Sequence, residues 1–360
     1  MSIVVLEYED LVSDKDLSEQ ILKAYGAGSV GALGVRGIPN WAEMRDKTLP
    51  LSHKLSHLSD EKLQALEDET SMYNAGWSLG KEKMGDKPDF GKGSFYYNPL
   101  QDDPSPELRS EFPWALPANK WPDEADIPKF RDNCREIGSV MRDVAVLLAR
   151  HIDKAIAANV PGYKKGLLHE AMSNSVKAKA RMLYYYPIKV SAEAPAAVAT
   201  DNWIAWHNDS GFLTTLAGEI YVNHDTGAIV PNPEPDTAGL YISDREGNET
   251  KITIPGDCLG IQLGECTQVI SGGLLVATPH CVRGCTRTPN IARISLPCFV
   301  DTYPTFPLSM PAGCTRDDVF RNTVDQKVPP LAGRWLQDGV TFAQFLGDSF
   351  KSYYEWTTKK

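Results

Sequence analysis

No apolar run in the 360 residues approaches the roughly 18 needed to cross a bilayer, so the composition reads as that of an ordinary globular chain. The N-terminal stretch MSIVVLEYEDLV has no basic segment ahead of its short apolar run, which argues against a secretory signal. Dense Lys/Arg runs are also missing. The short clusters Lys164-Lys165 and Lys359-Lys360 read as solvated surface, and the formal net charge of −10 argues against a nucleic-acid partner. Seven cysteines form an odd set, six of them between Cys258 and Cys314, which excludes a secreted disulfide scaffold and suits reduced thiols. A cytoplasmic location follows as the expectation. Internal repeats and low-complexity tracts are absent as well.

What is present divides by texture. The first part reads mainly as helix: one helix capped by Ser13 or Asp14 and running to Gly26, then a short strand over Ser29 to Val35. A second helical pattern runs from Trp41 towards Leu66 and is interrupted at Pro50. Residues 85–125 show no period and read as a long ordered loop. From Ile127 to Val160, Phe130, Cys134, Ile137, Met141, Val144, Leu148 and Ile152 recur at threes and fours, a core-facing helical stripe. A further helix is expected over Leu167 to Ala180.

Between Arg181 and Val300 the chain breaks into short apolar segments separated by Gly, Pro, Asn and Asp, among them RMLYYY, WIAWHN, LTTLAGEIYV, TQVIS, ATPHCV and RISLPCFV. Many short strands at close spacing predict a sandwich or barrel, with a jelly roll as a common solution. A last amphipathic helix covers Thr341 to Trp356. The expected organisation is one integrated domain: a mainly helical support over 1–175, a jelly-roll core over 176–305, and a C-terminal loop and helix over 306–360.

On a strand, residues i and i+2 share a face, so His207 and Asp209 project together as a nitrogen donor and a carboxylate. A second histidine would complete a two-His, one-carboxylate set, which leaves three positions of an octahedral iron open. His151, His169, His224 and His280 compete for that place. His280 stands on an expected strand, whereas His224, in NHDTG, reads as a surface-loop residue. Arg293 and Ser295 repeat the i, i+2 pattern. A guanidinium on an inward strand face calls for an anion, and the distal carboxylate of 2-oxoglutarate suits its planar fork. The bland alternative is an outward Arg293 in an ordinary salt bridge. In Tyr184-Tyr185-Tyr186-Pro187, Tyr184 and Tyr186 share a face and one phenol is placed to assist the same carboxylate.

These elements together resemble the isopenicillin-N-synthase-like group of 2-oxoglutarate- and Fe(II)-dependent oxygenases. Gly34 to Pro39 resembles the early strand and turn of that group, Asn119-Lys120-Trp121-Pro122 its Asn-x-Trp-Pro element, and Leu183 to Pro187 its Asn-Tyr-Tyr-Pro strand. Trp206 to Gly211 resembles the first ligand motif. Gly239-Leu240-Tyr241, Gly264-Glu265, Ser271-Gly272-Gly273, His280 and Arg293-Ile294-Ser295 follow in the family order. The resemblance implies a double-stranded β-helix (jelly roll), Fe(II) on His207, Asp209 and His280, and 2-oxoglutarate on Arg293, Ser295 and Tyr186. It also implies O2-dependent oxidation of a small molecule, with hydroxylation the usual outcome and succinate and CO2 released. Three departures stand out: Tyr184 in place of Asn, Cys281 where Arg usually follows the second histidine, and Glu265 in place of Asp.

Other readings stay open at this level. An Fe(II) oxidase of the same fold without 2-oxoglutarate, a non-catalytic binding protein on this scaffold, and a zinc hydrolase are the alternatives. His53 and His57 share a helix face but lack a third ligand nearby, and Cys281 and Cys285 lack a matching second pair for structural zinc. Substrate choice is expected to rest on residues 85–115 and 303–356, with Phe95, Tyr96, Tyr97 and Phe299 as candidate pocket aromatics.

Overall fold

The computed structural model describes residues 3–81, 83–84, 87–188, 203–324 and 327–358. Lys359 and Lys360 lie outside them. Twelve strands carry the architecture: β1 (Val4–Glu7), β2 (Ala32–Arg36), β3 (Gly76–Leu79), β4 (Lys92–Tyr97), β5 (Ala178–Tyr185), β6 (Ile204–His207), β7 (Leu213–Asn223), β8 (Gly239–Ser243), β9 (Glu249–Ile252), β10 (Cys258–Leu263), β11 (His280–Arg283) and β12 (Ile291–Val300). The larger sheet runs β1-β2-β10-β7-β12-β5-β4-β3, with the short strand Ile229–Val230 added to β7. A four-stranded sheet, β9-β8-β11-β6, completes the jelly roll. From β5 to β12 the chain passes repeatedly between the two sheets, with only β8 and β9 consecutive in the same one, so residues remote in sequence face one another across the interior.

The large sheet is covered on its outer side by the helix Phe130–Asn159. Every member of the predicted stripe, from Phe130 to Ile152, is buried there. The inner side meets the smaller sheet through Leu183, Tyr185, Trp203, Tyr221 and Val282. A jelly roll with flanking helices is therefore the fold.

Several local expectations are corrected. The first part of the chain is not only helical: β1, β2, β3 and β4 all extend the large sheet. The stretch 85–125 contains β4, whose six residues are all buried, and a helix at Pro106–Glu111 capped by Ser105. A strand covered on both faces loses the polar–apolar alternation, which is why Lys92 to Tyr97 gave no period. TQVIS is no strand: Thr267 to Ile270 belong to the helix Glu265–Ile270 and Ser271 follows as its C-cap, all buried; short apolar runs cannot be divided between strand and helix by pattern. The helix expected from a cap at Ser13 or Asp14 begins only at Ser18 and ends at Tyr25, and a separate short helix, Tyr8–Val12, precedes the positive φ at Asp14. The helix expected to reach Ala180 ends at Ser173, and β5 begins at Ala178.

Phe95 tests the correction at β4. Its ring packs edge-on to Phe130 at 5.1 Å and against Trp121 at 5.8 Å. Phe95→Ala is expected to lower unfolding free energy by about 3–5 kcal/mol, read from urea denaturation. A change below about 1 kcal/mol would remove β4 from the core.

Candidate metal centre

β6 and β11 are antiparallel neighbours, and their register sets His207 directly opposite His280. The two rings lie 4.2 Å apart between centroids. Asp209 follows β6 by two residues, where the chain turns. Its carbonyl accepts the Glu265 N–H at 2.8 Å, and its Oδ1 lies 3.9 Å from Nε2 of each histidine. Among the described residues this is the one group of three or more His, Cys, Asp or Glu donors close enough for a shared ion, all within 4.8 Å.

The donor chemistry fits a divalent cation. His207 Nδ1–H donates to the Ala205 carbonyl at 2.9 Å and His280 Nδ1–H to the Thr278 carbonyl at 3.2 Å. Each bond fixes the tautomer that leaves Nε2 bare and turned to Asp209. Burial, with the His280 ring beside it, pushes His207 down to about 4, so the ring is neutral near pH 7. Asp209 is buried and its Oδ2 meets no protein donor. A buried carboxylate oxygen without a partner costs on the order of 1–3 kcal/mol or more, a cost that a bound cation removes.

The same cavity, with about 110 Å³ of interior space, holds the second predicted pair. Arg293 and Ser295 both line it from β12, and Arg293 Nη1 lies 3.4 Å from Ser295 Oγ. The outward reading of Arg293 is thereby overturned. Its Nε donates to Glu219 Oε2 at 2.5 Å, and its guanidinium stands over the Tyr185 ring at 4.9 Å. The Glu219 and tyrosine charges outweigh burial and raise the Arg293 pKa further.

Tyr186 is not brought to this cavity. Tyr184 and Tyr186 do share a face, as expected, but it is the outer one, where their rings lie 5.1 Å apart and each contacts His224. Arg181, Leu183 and Tyr185 are the β5 residues that line the interior. Of the candidate pocket aromatics, Phe299 lines the cavity; Phe95 and Tyr97 pack with Trp121, and Tyr96 lies under the Arg181 guanidinium.

Two further placements were hidden in the sequence. His224 is no isolated loop residue: its ring lies 4.9 Å from His57, which stacks on His53 at 4.0 Å, and its Nδ1 meets the Tyr184 hydroxyl at 2.8 Å. These three histidines do not form a common donor set. Glu265 sits behind the metal turn and forms a two-pronged ion pair with Arg334, both fully buried. Glu265 Oε1 also accepts the Asn208 side-chain N–H at 2.9 Å, and Tyr353 of the C-terminal helix Phe342–Thr358 accepts the Asn208 backbone N–H at 2.8 Å. Nothing near Arg334 in the chain marks it. A charge inside the apolar strand LTTLAGEIYV was the available signal for Glu219.

No protein-family profile matches the chain. A 2-oxoglutarate-dependent dioxygenase of Gibberella zeae is 27% identical over 296 residues, covering 78% of this chain and 67% of the relative. Scopoletin 8-hydroxylase of Arabidopsis thaliana is 24% identical over 223 residues, covering 61% of this chain; the match spans about half, 49%, of that relative. Among solved structures, a 2OG-Fe(II) oxygenase family protein of Caulobacter crescentus superposes with a TM-score of 0.69 at 16% identity, covering 97% of this chain and 98% of the other. A Neurospora crassa protein solved with alpha-KG and 5-formyluracil gives 0.66 at 15% identity, covering 96% and 94%. The chain is thus similar in sequence to 2-oxoglutarate-dependent dioxygenases and in fold to 2OG-Fe(II) oxygenases, and the isopenicillin-N-synthase-like group is not singled out among them.

The pair behind the turn gives a stability prediction. Removing one partner leaves a buried charge, so Glu265→Ala and Arg334→Ala are each expected to cost about 3–5 kcal/mol. The double variant Glu265→Leu/Arg334→Met should be less destabilised than either single one in thermal unfolding. A Glu265→Ala/Arg334→Ala variant whose loss equals the sum of the two single losses would show that the two residues do not act as a pair.

Proposed function

We propose that the chain is a 2-oxoglutarate- and Fe(II)-dependent dioxygenase that oxidises a small molecule, hydroxylation being the first expectation, with release of succinate and CO2. The observation that carries this reading is the convergence of two bare histidine nitrogens and one buried carboxylate on the same cavity as Arg293 and Ser295. His207, Asp209 and His280 would hold Fe(II); Arg293 and Ser295 would receive the distal carboxylate of 2-oxoglutarate. Bound together, iron, 2-oxoglutarate and O2 supply a two-electron oxidation coupled to decarboxylation of the oxo acid.

The chain's own residues act by position and charge. The two imidazoles would offer their Nε2 lone pairs to the cation, and Asp209 would offset one of its two charges. Three protein donors would leave further positions of a bound ion open to ligands from solution. Arg293 and Ser295 offer a guanidinium and a hydroxyl to one carboxylate, which fixes which end of the oxo acid faces the metal turn. Leu183, Ile204, Leu240, Val282 and Phe299 give the cavity an apolar lining that limits water around the reacting groups.

Within the same proposal the chain works as one integrated unit spanning 1–175, 176–305 and 306–360, in the cytoplasm, on a small-molecule substrate. Residues 85–115 and 303–356 select that substrate. No helix among the described residues is long and apolar enough to cross a membrane. A second reading, an Fe(II) oxidase of this fold that does not use 2-oxoglutarate, is favoured by one observation: Arg293 already holds a carboxylate, that of Glu219.

Anaerobic titration with Fe(II) and 2-oxoglutarate separates the two through the weak visible charge-transfer band of the iron–oxo-acid chelate. The wild type is expected to show the band, His207→Ala to lose it, and Arg293→Ala to need at least about tenfold more 2-oxoglutarate, as fits loss of charge-assisted bonds of about 1.5–3 kcal/mol. Iron binding with no band would favour the oxidase. Failure to bind iron would sink both and leave a binding protein.

A further inference from the structure

Glu219 is the unexpected member of the cavity. Along β7 the residues facing the interior are first Thr214, Leu216 and Gly218; then the parity changes and Glu219 lines the cavity next. The change coincides with Gly218, whose φ of +78° is a conformation that favours glycine, and with a register shift against β12 between Ser295 and Pro297. Such a bulge inserts one extra residue and re-aims the side chain that follows. Beyond it, Ser295 pairs with Glu219 and Arg293 with Tyr221, so Glu219 sits beside Ser295 and diagonal to Arg293.

The contacts on the guanidinium are divided by edge. Nε is bound to Glu219 Oε2 at 2.5 Å, the flat face lies over Tyr185, and Nη1 is left on the side of Ser295 Oγ. The carboxylate is itself held, because the Tyr221 hydroxyl donates to Glu219 Oε1 at 3.3 Å. An arginine side chain has several rotatable bonds and loses up to about 2 kcal/mol of rotamer entropy when fixed. A partner that fixes it before the ligand arrives removes that cost from binding.

Resting on the co-substrate reading above, we propose that Glu219 is the positioning residue of the 2-oxoglutarate site: it grips Arg293 by its Nε edge so that the Nη edge, with Ser295, is presented to the distal carboxylate. Glu219 acts through Arg293 and does not occupy the ligand's place. The bulge at Gly218 turns Glu219 inward, with Tyr221 two residues after it on the same side.

The test compares Glu219→Ala, Glu219→Asp and Glu219→Gln with wild type in anaerobic Fe(II) solution, reading the dissociation constant of 2-oxoglutarate. The parallel probe is 2-oxobutyrate, which has the chelating oxo acid but no distal carboxylate. Ala, and Asp with its shorter reach, are expected to weaken 2-oxoglutarate at least about tenfold, equivalent to 1.4 kcal/mol. Gln keeps an acceptor for Nε–H and is expected to stay within about threefold of wild type. Iron affinity and 2-oxobutyrate binding should not move in any variant, which a general loosening of the cavity would not allow. Equal or tighter 2-oxoglutarate binding in Ala and Asp would overturn the proposal and make Glu219 a competitor for Arg293. If wild type itself forms no 2-oxoglutarate complex, the co-substrate reading fails first and takes this inference with it; a wild-type complex indifferent to all three variants defeats the inference alone.

Discussion

The buried ion pair between Glu265 and Arg334 is the contact on which the geometry of the metal turn depends. Neither side chain touches the cavity, yet each is fully buried, and neither charge is tolerable there without the other. Glu265 also holds Asn208, the residue between the two donors His207 and Asp209, while its own N–H holds the Asp209 carbonyl. Arg334 in turn bonds the Pro329 carbonyl and Ser349 on the C-terminal helix. One charged pair thus ties the turn that bears Asp209 to an element more than a hundred residues downstream. Gly264 permits the approach: a Cβ there would meet the Gly211 carbonyl oxygen at 2.1 Å, so the turn and the helix Glu265–Ile270 could not close together.

Around that anchor, the two sheets divide the work. The smaller sheet carries both histidines as cross-strand partners, held at their Nδ1 atoms by backbone carbonyls. The larger sheet carries Arg293, Ser295 and Glu219 on adjacent strands. Strand pairing fixes Cβ separations to about 5 Å, so each set is placed by backbone hydrogen bonds instead of by flexible loops. The outer face of the large sheet is given over to packing, and there Tyr184, Tyr186 and the three histidines His53, His57 and His224 collect.

Much of the site was legible in the chain because it obeys period two. His207 with Asp209, and Arg293 with Ser295, are i, i+2 pairs, and an arginine amid ISLPCFV has no packing rationale. The long helix was legible for the matching reason at period 3.6. What failed to show is equally specific. β4 is buried on both faces and has no alternation to read. Tyr186 was assigned from resemblance, and the absolute orientation of a strand cannot be told from alternation alone, since Tyr185 and Tyr186 fit either choice. Glu219 breaks parity at a bulge, which period-two reading passes over.

By itself the sequence determined the residue types and local spacings: a histidine and a carboxylate two apart, a guanidinium and a hydroxyl two apart, a long helical stripe from Phe130 to Ile152, and a net charge of −10. These are local properties, set by backbone geometry over a few residues. Only the tertiary structure decided that His280, not His224, faces His207, that Tyr185 and not Tyr186 turns inward, and that Glu265 meets Arg334 and Glu219 meets Arg293. Those are matters of which strands pair, in which register, and which face is buried. They are decided by the burial of the whole core, to which no single segment holds the key.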